Sequence, residues 1–270
     1  MFQKLRRKFL RHFFGEDPDY QDPFDDAAER LYGRIYLKYL LETAGLEFRG
    51  QRVRVLDLGC HTGRISVPLA QSGYEVTGID SSRFHVRRAQ KRADELGLSS
   101  RFIKGDGFEQ VRRMPANSLD LVLCTEVLYQ CPDFQSRMKD LVRVLRPGGL
   151  LATSHRTRFF YLTQAIRQKD FEAARFIQQH SEGKLWGSYF NWQTPEELKA
   201  IYDGLCLDRV LIRPIGVFTG NGGDGMAALC NLSDLNDSER DGVFEIEAGD
   251  SEEFSSLARY LFMIGRKQDV

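Results

Sequence analysis

The sequence predicts an α/β fold centred on a doubly wound, mainly parallel sheet. Short apolar runs alternate with stretches of helical period from about residue 50 to residue 155. The runs carry few polar interruptions, as strands covered by helices on both faces do. Alternation at this spacing builds right-handed strand–helix–strand units, which wind such a sheet in both directions.

The elements follow in order. Ala27, Leu31, Ile35, Tyr39 and Leu40 recur at helical spacing and predict a helix over about residues 24 to 44. RVRVLDLG is the first strand, and a helix follows from about Gly63 to Gly73. YEVTGID is the second strand, with a helix reaching about Leu96. SRFIKGD is the third strand. SLDLVLCTEV is the fourth, followed by a helix over FQSRMKDLVRVL, and GGLLATSH is the fifth. Residues 156 to 193 then break the alternation and read as a helical, aromatic insertion. After it, Thr194 as N-cap, Pro195 in the first turn and Glu197 as capping-box partner spell a helix start. LDRVLIRPIGVF and SLARYLFMIGRK are two late strands, separated by chain that reads as irregular and acidic, so they are expected to pair antiparallel. The sequence thus predicts seven strands with an antiparallel last strand. Residues 50 to 270 form one domain, and residues 1 to 49 hold an amphipathic helix, an acidic linker and a cap helix.

Bulk properties narrow the function. With 38 basic and 38 acidic residues the formal charge is zero, which weighs against a general nucleic-acid binder. No run of about 18 apolar residues occurs, so no membrane span is expected. Cys60, Cys124, Cys131, Cys206 and Cys230 form no CxxC pair and read as core thiols of a reducing, cytoplasmic compartment. No metal site is expected. The N-terminus, MFQKLRRKFLRHFF, lacks the features of a signal peptide. Phe2, Leu5, Phe9, Leu10 and Phe13 share one helical face, and Lys4, Arg7, Lys8 and Arg11 mostly share the other. The segment reads either as a cap helix on the domain or as a peripheral membrane contact through residues 1 to 14.

In an open α/β sheet the ligand sits beyond the carboxyl ends of the strands. Three of the first five strands end on a carboxylate: Asp57, Asp80 and Asp106. A dinucleotide fits poorly, because the glycines of GCHTG are spaced GxxxG rather than GxGxxG and the acids would repel a pyrophosphate. No GK[ST] phosphate loop occurs either. A cationic, phosphate-free adenosine compound fits better. Asp80 can accept both ribose hydroxyls, Asp106 an adenine amine beside the Gly107 amide, and Asp57 an amino group or a structural bond in the turn. S-adenosylmethionine combines these features.

At these residues the chain resembles the class I S-adenosylmethionine-dependent methyltransferases of small molecules, quinone and sterol methyltransferases among them. Five blocks match in order: VLDLGCHTGR, GIDSS, GDGFE, SLDLVLCTEVLYQCPD and LVRVLRPGGLLATS. The resemblance implies a Rossmann-like sheet and S-adenosylmethionine as cofactor. It places Asp57, Gly59, Cys60, His61 and Gly63 around the methionine moiety, Asp80 and Ser81 at the ribose, Asp106 and Gly107 at the adenine, and Cys124 and Thr125 beside the methionine. Two positions depart from the family pattern. His61 stands where relatives usually have a third glycine, and Gln130 replaces the histidine of the fourth block, so no base is available there.

Methyl transfer is an in-line displacement, and the protein mainly supplies proximity and orientation. His155, at the end of the fifth strand, is the first candidate base, against a structural role. Glu126 and Tyr129 are candidates for orienting the acceptor. His12, His85 and His180 read as solvent-facing or structural. Phe159, Phe160, Tyr161, Trp186, Tyr189, Phe190 and Trp192 either roof an apolar acceptor site or form a small core of their own. TGNGGDG, residues 219 to 225, reads as a flexible connection. The expected activity is methyl transfer to a small, apolar or lipid-like molecule. The alternatives are an RNA or protein methyltransferase, or a silent cofactor-binding scaffold. No [DNS]PP[YF] motif follows the fourth strand, and Cys131-Pro132 reverses the Pro-Cys order of cytosine-carbon enzymes.

Overall fold

A computed structural model describes residue 22, residues 24–220, residue 226, residues 230–249 and residues 252–269. The basic helix expected over residues 1 to 14, His12 with it, and residues 221 to 225 of the Gly-rich loop lie outside the described residues.

Helix α1 (Ala27–Glu47) precedes the sheet. Asp26 caps it by accepting from the Glu29 amide at 2.8 Å. Alternation then runs through β1 (Arg54–Leu58), α2 (Ser66–Gln71), β2 (Glu75–Asp80), α3 (Arg83–Glu95), β3 (Arg101–Lys104), α4 (Gly107–Arg113), β4 (Leu119–Cys124), α5 (Phe134–Val144) and β5 (Leu145–Arg156). The insertion comprises α6 (Arg158–Arg167), α7 (Phe171–Gln179) and a hairpin of β6 (Glu182–Leu185) and β7 (Ser188–Asn191). Helix α8 (Pro195–Asp203), β8 (Leu207–Ile215), α9 (Asp237–Glu247) and β9 (Tyr260–Lys267) complete the chain.

The main sheet has seven strands in the order β3-β2-β1-β4-β5-β9-β8. The first five strands are parallel, and β9 runs antiparallel to both β5 and β8. Strand order reverses between β1 and β4, so a crevice opens beyond their carboxyl ends. Residues next to each other in one strand serve different cores. Val55 packs with Tyr32, Ile35 and Leu40 of α1, while Leu56 packs with Met138 and Leu141 of α5. This two-sided burial is why the strands read as continuous apolar runs.

The Thr194 capping box forms as expected, and α8 starts there. Three features differ from the sequence expectation. Helix α4 follows β3, where no helix was expected; Asp106 caps it, accepting from the Glu109 amide at 3.0 Å. The chain between β8 and β9 holds α9, started by a capping box of Asn236 and Glu239, so that stretch is not simply irregular. The insertion is not wholly helical either, since residues 182 to 191 pair as a hairpin. Its Phe160, Tyr161 and Trp192 are buried with Ile177 and Leu185 in a core of their own. No helix among the described residues is long and apolar enough to cross a membrane.

Candidate active site

A cleft of about 980 Å³ opens beyond the carboxyl ends of β1, β2, β3 and β4. Its walls carry six carboxylates, from Asp26, Glu29, Asp57, Asp80, Asp106 and Glu126, against the cations of Arg64, Lys104 and Arg137. The balance is therefore negative, and the cleft favours a cationic ligand over a polyphosphate.

The turn after β1 shapes one wall. The Gly59 amide donates to the Ile79 carbonyl at 2.8 Å, and the Cys60 amide to the same oxygen at 3.1 Å, tying the turn to the end of β2. Gly59 has φ +82, and a Cβ there would stand 2.3 Å from Val127 Cγ2. Gly63 has φ +87, and a Cβ there would stand 2.7 Å from Val67 Cγ2. Both positions need glycine for backbone sign and for space. His61 takes the left-handed conformation too, at φ +49. The backbone is thus left-handed at the position where the resemblance implies a glycine, and a side chain tolerates that at a cost of about 1–2 kcal/mol.

That conformation turns the His61 amide toward Asp80 Oδ2, 3.0 Å away. The Ser82 amide donates to Asp80 Oδ1 at 2.8 Å, and His85 Nδ1 lies 3.3 Å from the same oxygen. Burial pushes the Asp80 carboxyl up, but the bonds from His85, Ser82 and His61 outweigh it and hold the group below the usual carboxylate range. The His61 and His85 rings lie with centroids 3.6 Å apart, tilted by 37°. Burial, and then the proximity of His85, lower His61 to about 4, so its ring is neutral near pH 7.

Asp57 lies at the base of the cleft and accepts from the Ser66 hydroxyl of α2. Burial raises its carboxyl to about 6, although Ser66 and Arg64 pull the other way. Arg64 joins two walls. Its Nη1 pairs with Glu29 of α1, and its Nη2 lies 2.7 Å from Glu126 Oε1. Glu126 Oε2 accepts from the Tyr260 hydroxyl at 2.9 Å. Burial raises Glu126, but Arg64 outweighs it and holds the carboxylate ionised. Gly107 lines the adenine end expected from the sequence, where a Cβ would stand 2.6 Å from Leu58 Cγ.

The structure brings Asp57, Gly59, Cys60, His61, Asp80, Ser81, Asp106, Gly107, Thr125 and Glu126 to one cleft. It leaves four predicted residues out. Gly63 packs the turn against α2 and α3. Cys124 is fully buried on the α5 side of the sheet, and burial pushes its thiol up. Tyr129 stacks over Arg156 and packs beside Tyr260. His155 requires the largest correction. It is fully buried between Phe134 and Tyr202, with Nε2 2.7 Å from Thr153 Oγ1, and burial lowers it to about 3. A base must reach the acceptor, and His155 faces the opposite side of β5. Glu126, proposed as a group that orients the acceptor, has both oxygens engaged within the protein.

Sequence reasoning missed the charged residues Asp26, Glu29, Arg64, Lys104 and Arg137 as cleft residues. Arg64 was legible: a cation directly after Gly63, among acids, needs partners. Asp26 and Glu29 were not, because they enter from a segment before the sheet. All five cysteines are free thiols, but only Cys60 and Cys124 are buried and Cys206 is exposed, so the core reading does not hold for all five; no cluster of three potential metal ligands occurs among the described residues.

A family model described as a methyltransferase domain matches residues 50–196. Ubiquinone biosynthesis O-methyltransferase of Rickettsia conorii is 28% identical over 145 residues, covering 53% of this chain and 48% of that protein. Sterol 24-C-methyltransferase of Aspergillus fumigatus is 32% identical over 132 residues, covering 48% of this chain and 32% of that protein. The chain thus spans about half the length, or less, of these curated relatives. The crystal structure of magnesium protoporphyrin IX methyltransferase from Synechocystis, with bound SAH, shares the fold with a TM-score of 0.58 at 14% identity, over 98% of this chain and 100% of that one.

Proposed function

This chain belongs to the class I S-adenosylmethionine-dependent methyltransferases, and from that membership we propose that it methylates a small, apolar acceptor. The observation that carries the proposal is the Asp80 carboxylate, kept ionised at the rim of an acidic cleft by His85 and by the Ser82 and His61 amides. The relatives described above are an O-methyltransferase of ubiquinone biosynthesis and a sterol methyltransferase, which supports an apolar acceptor.

The residues present fit the cofactor. Its ribose is a diol and its methionine end is cationic, and the donor set of the cleft is carboxylate-rich with no phosphate loop. Asp80 would hold the ribose hydroxyls, Asp106 and the Gly107 amide the adenine, and Asp57 with Thr125 the methionine end. When bound, S-adenosylmethionine supplies an electrophilic methyl carbon already activated by its sulfonium.

The protein's own contribution is orientation. Gly59 lets the turn close on Val127, which fixes the distance between the wall after β1 and the wall after β4. The chain Glu29–Arg64–Glu126–Tyr260 ties α1, the first turn, the end of β4 and β9 into one frame. Such rigid placement is worth about 7–11 kcal/mol in well-aligned systems. With His155 turned away and Glu126 committed to Arg64 and Tyr260, the described cleft walls present no free imidazole or carboxylate as a base at the end of β4 or β5. An acceptor that needs little deprotonation suits such a site.

Calorimetry with S-adenosylmethionine, followed by a radiolabelled methyl-transfer screen against lipid extract, RNA and total protein, tests the proposal. Binding together with labelling of an organic-soluble product is expected. Labelling confined to RNA or protein would overturn the acceptor class.

A further inference from the structure

Arg156 ends β5 with its side chain buried; the residue is 7% exposed. Its guanidinium carbon lies 4.0 Å from the centroid of Tyr260, 4.1 Å from Phe160 and 4.9 Å from Tyr129. Among the described residues no carboxylate pairs with it, and its Nε and Nη1 have no hydrogen-bond partner. Glu126 contributes a field at Arg156, but its oxygens are taken by Arg64 and Tyr260. Ring faces offset part of the lost hydration, yet they do not replace directed acceptors for guanidinium N–H groups. A second guanidinium, from Arg259, stands 5.3 Å from the Phe160 centroid and 5.8 Å from that of Tyr260. Arg259 thus places like charge beside two of the rings that enclose Arg156.

The location gives this meaning. Tyr260 donates to Glu126, a wall of the cleft, and Tyr129 lies directly before Gln130, another cleft residue. Phe160 belongs to the insertion core. The aromatic cage thus stands between the cofactor cleft and the insertion.

We propose that Arg156 is an acceptor-binding residue that takes an anionic group, carboxylate or phosphate, on an otherwise apolar acceptor. The inference rests on the methyl-transfer reading of the same cleft. The anion completes the hydrogen bonds of the guanidinium fork, and Tyr129, Tyr260 and Phe160 flank the apolar body next to it. The anchor sets which atom of the acceptor faces the cofactor, so specificity comes from the distance between the acceptor's anion and its reacting atom.

Calorimetric titration of the full chain with benzoate, benzyl alcohol and inorganic phosphate, with and without S-adenosylmethionine, tests this. Wild-type protein should bind benzoate or phosphate at least about tenfold more tightly than benzyl alcohol, as a charge-assisted bidentate bond predicts. Phosphate preferred over benzoate points to a phosphorylated acceptor, and the reverse to a carboxylate. Arg156→Met should remove the preference while S-adenosylmethionine still binds. If that variant does not fold, Arg156→Lys should weaken the anion by about tenfold, because lysine lacks the planar fork. Equal affinity of wild type for benzoate and benzyl alcohol, with phosphate not bound, overturns the proposal without any variant. Failure of S-adenosylmethionine to bind wild type instead removes the methyl-transfer reading, and the anion measurement stands apart from it.

Discussion

Arg64 Nη2 lies 2.7 Å from Glu126 Oε1, and this pair joins the turn after β1 to the turn after β4 across the switch point of the sheet. Both side chains are mostly enclosed, with 13% and 16% of their surface exposed, and Glu29 shares the same guanidinium. Removing Arg64 takes the shared guanidinium away from both carboxylates. Arg64→Met is expected to lower the unfolding free energy by about 3 kcal/mol, in the range for breaking an enclosed ion pair. The double variant Arg64→Met, Glu126→Gln should regain part of it. Urea unfolding checks this, and a loss below about 1 kcal/mol would place the pair with ordinary surface bridges.

Asp80 is the group whose loss should be felt most by the cofactor. Asp80→Asn keeps the shape but turns one acceptor oxygen into a donor, facing the amides of His61 and Ser82. S-adenosylmethionine affinity should fall at least about tenfold, since a hydrogen bond to a charged group contributes about 1.5–3 kcal/mol. Calorimetry reads the change directly, and unchanged affinity would remove Asp80 from the site.

His155 gives a pH signature with a definite sign. Burial holds it at about 3 in the folded chain, below the ordinary value of 6.5. The unfolded chain therefore binds the extra proton first, and stability falls as pH drops below about 6.5. At pH 5 this single group costs about 2 kcal/mol relative to neutral pH. His155→Leu should lie below wild type at pH 7.5, where the bond to Thr153 is lost, and gain relative to it by about that amount at pH 5. Parallel urea curves at the two pH values decide the matter: a constant difference would show that His155 titrates normally.

Gly59 and Gly73 separate backbone sign from space. Both have positive φ, at +82 and +91, but only Gly59 has an atom in the path of a Cβ, Val127 Cγ2 at 2.3 Å. Gly59→Ala should cost about 1–3 kcal/mol more than Gly73→Ala, the range for overpacking. It should also weaken cofactor binding, because the Gly59 turn lines the cleft. Thermal unfolding of the two variants side by side measures the difference, and equal costs would show that Val127 yields freely.

The parallel sheet and the acidic tips were readable along the chain, because they depend on neighbours in sequence. Apolar runs mark buried strands, with Asp57 and Asp80 at the carboxyl ends of two of them and Asp106 just beyond a third. Capping boxes are local as well. The one at Thr194 stands out beside Pro195, while that of Asn236 and Glu239, just as local, is masked by the acidic stretch around it.

Which face of a strand meets the cleft is another kind of fact. Ser154 and Arg156 lie on one face of β5, Ser154 accepting the Glu126 amide and Arg156 sitting among Tyr129, Phe160 and Tyr260. His155, between them in sequence, faces Phe134 and Tyr202 in the opposite core. Side chains alternate with period two, so a register change of one residue would exchange these roles. That register is set by pairing with β4 and with β9, which arrives more than 100 residues later. Composition and local pattern determined the kind of ligand the cleft holds. Packing of distant strands, with Glu29 brought in from α1 and Tyr260 from β9, decided which side chains reach it, because charge pairing and burial depend on proximity in space.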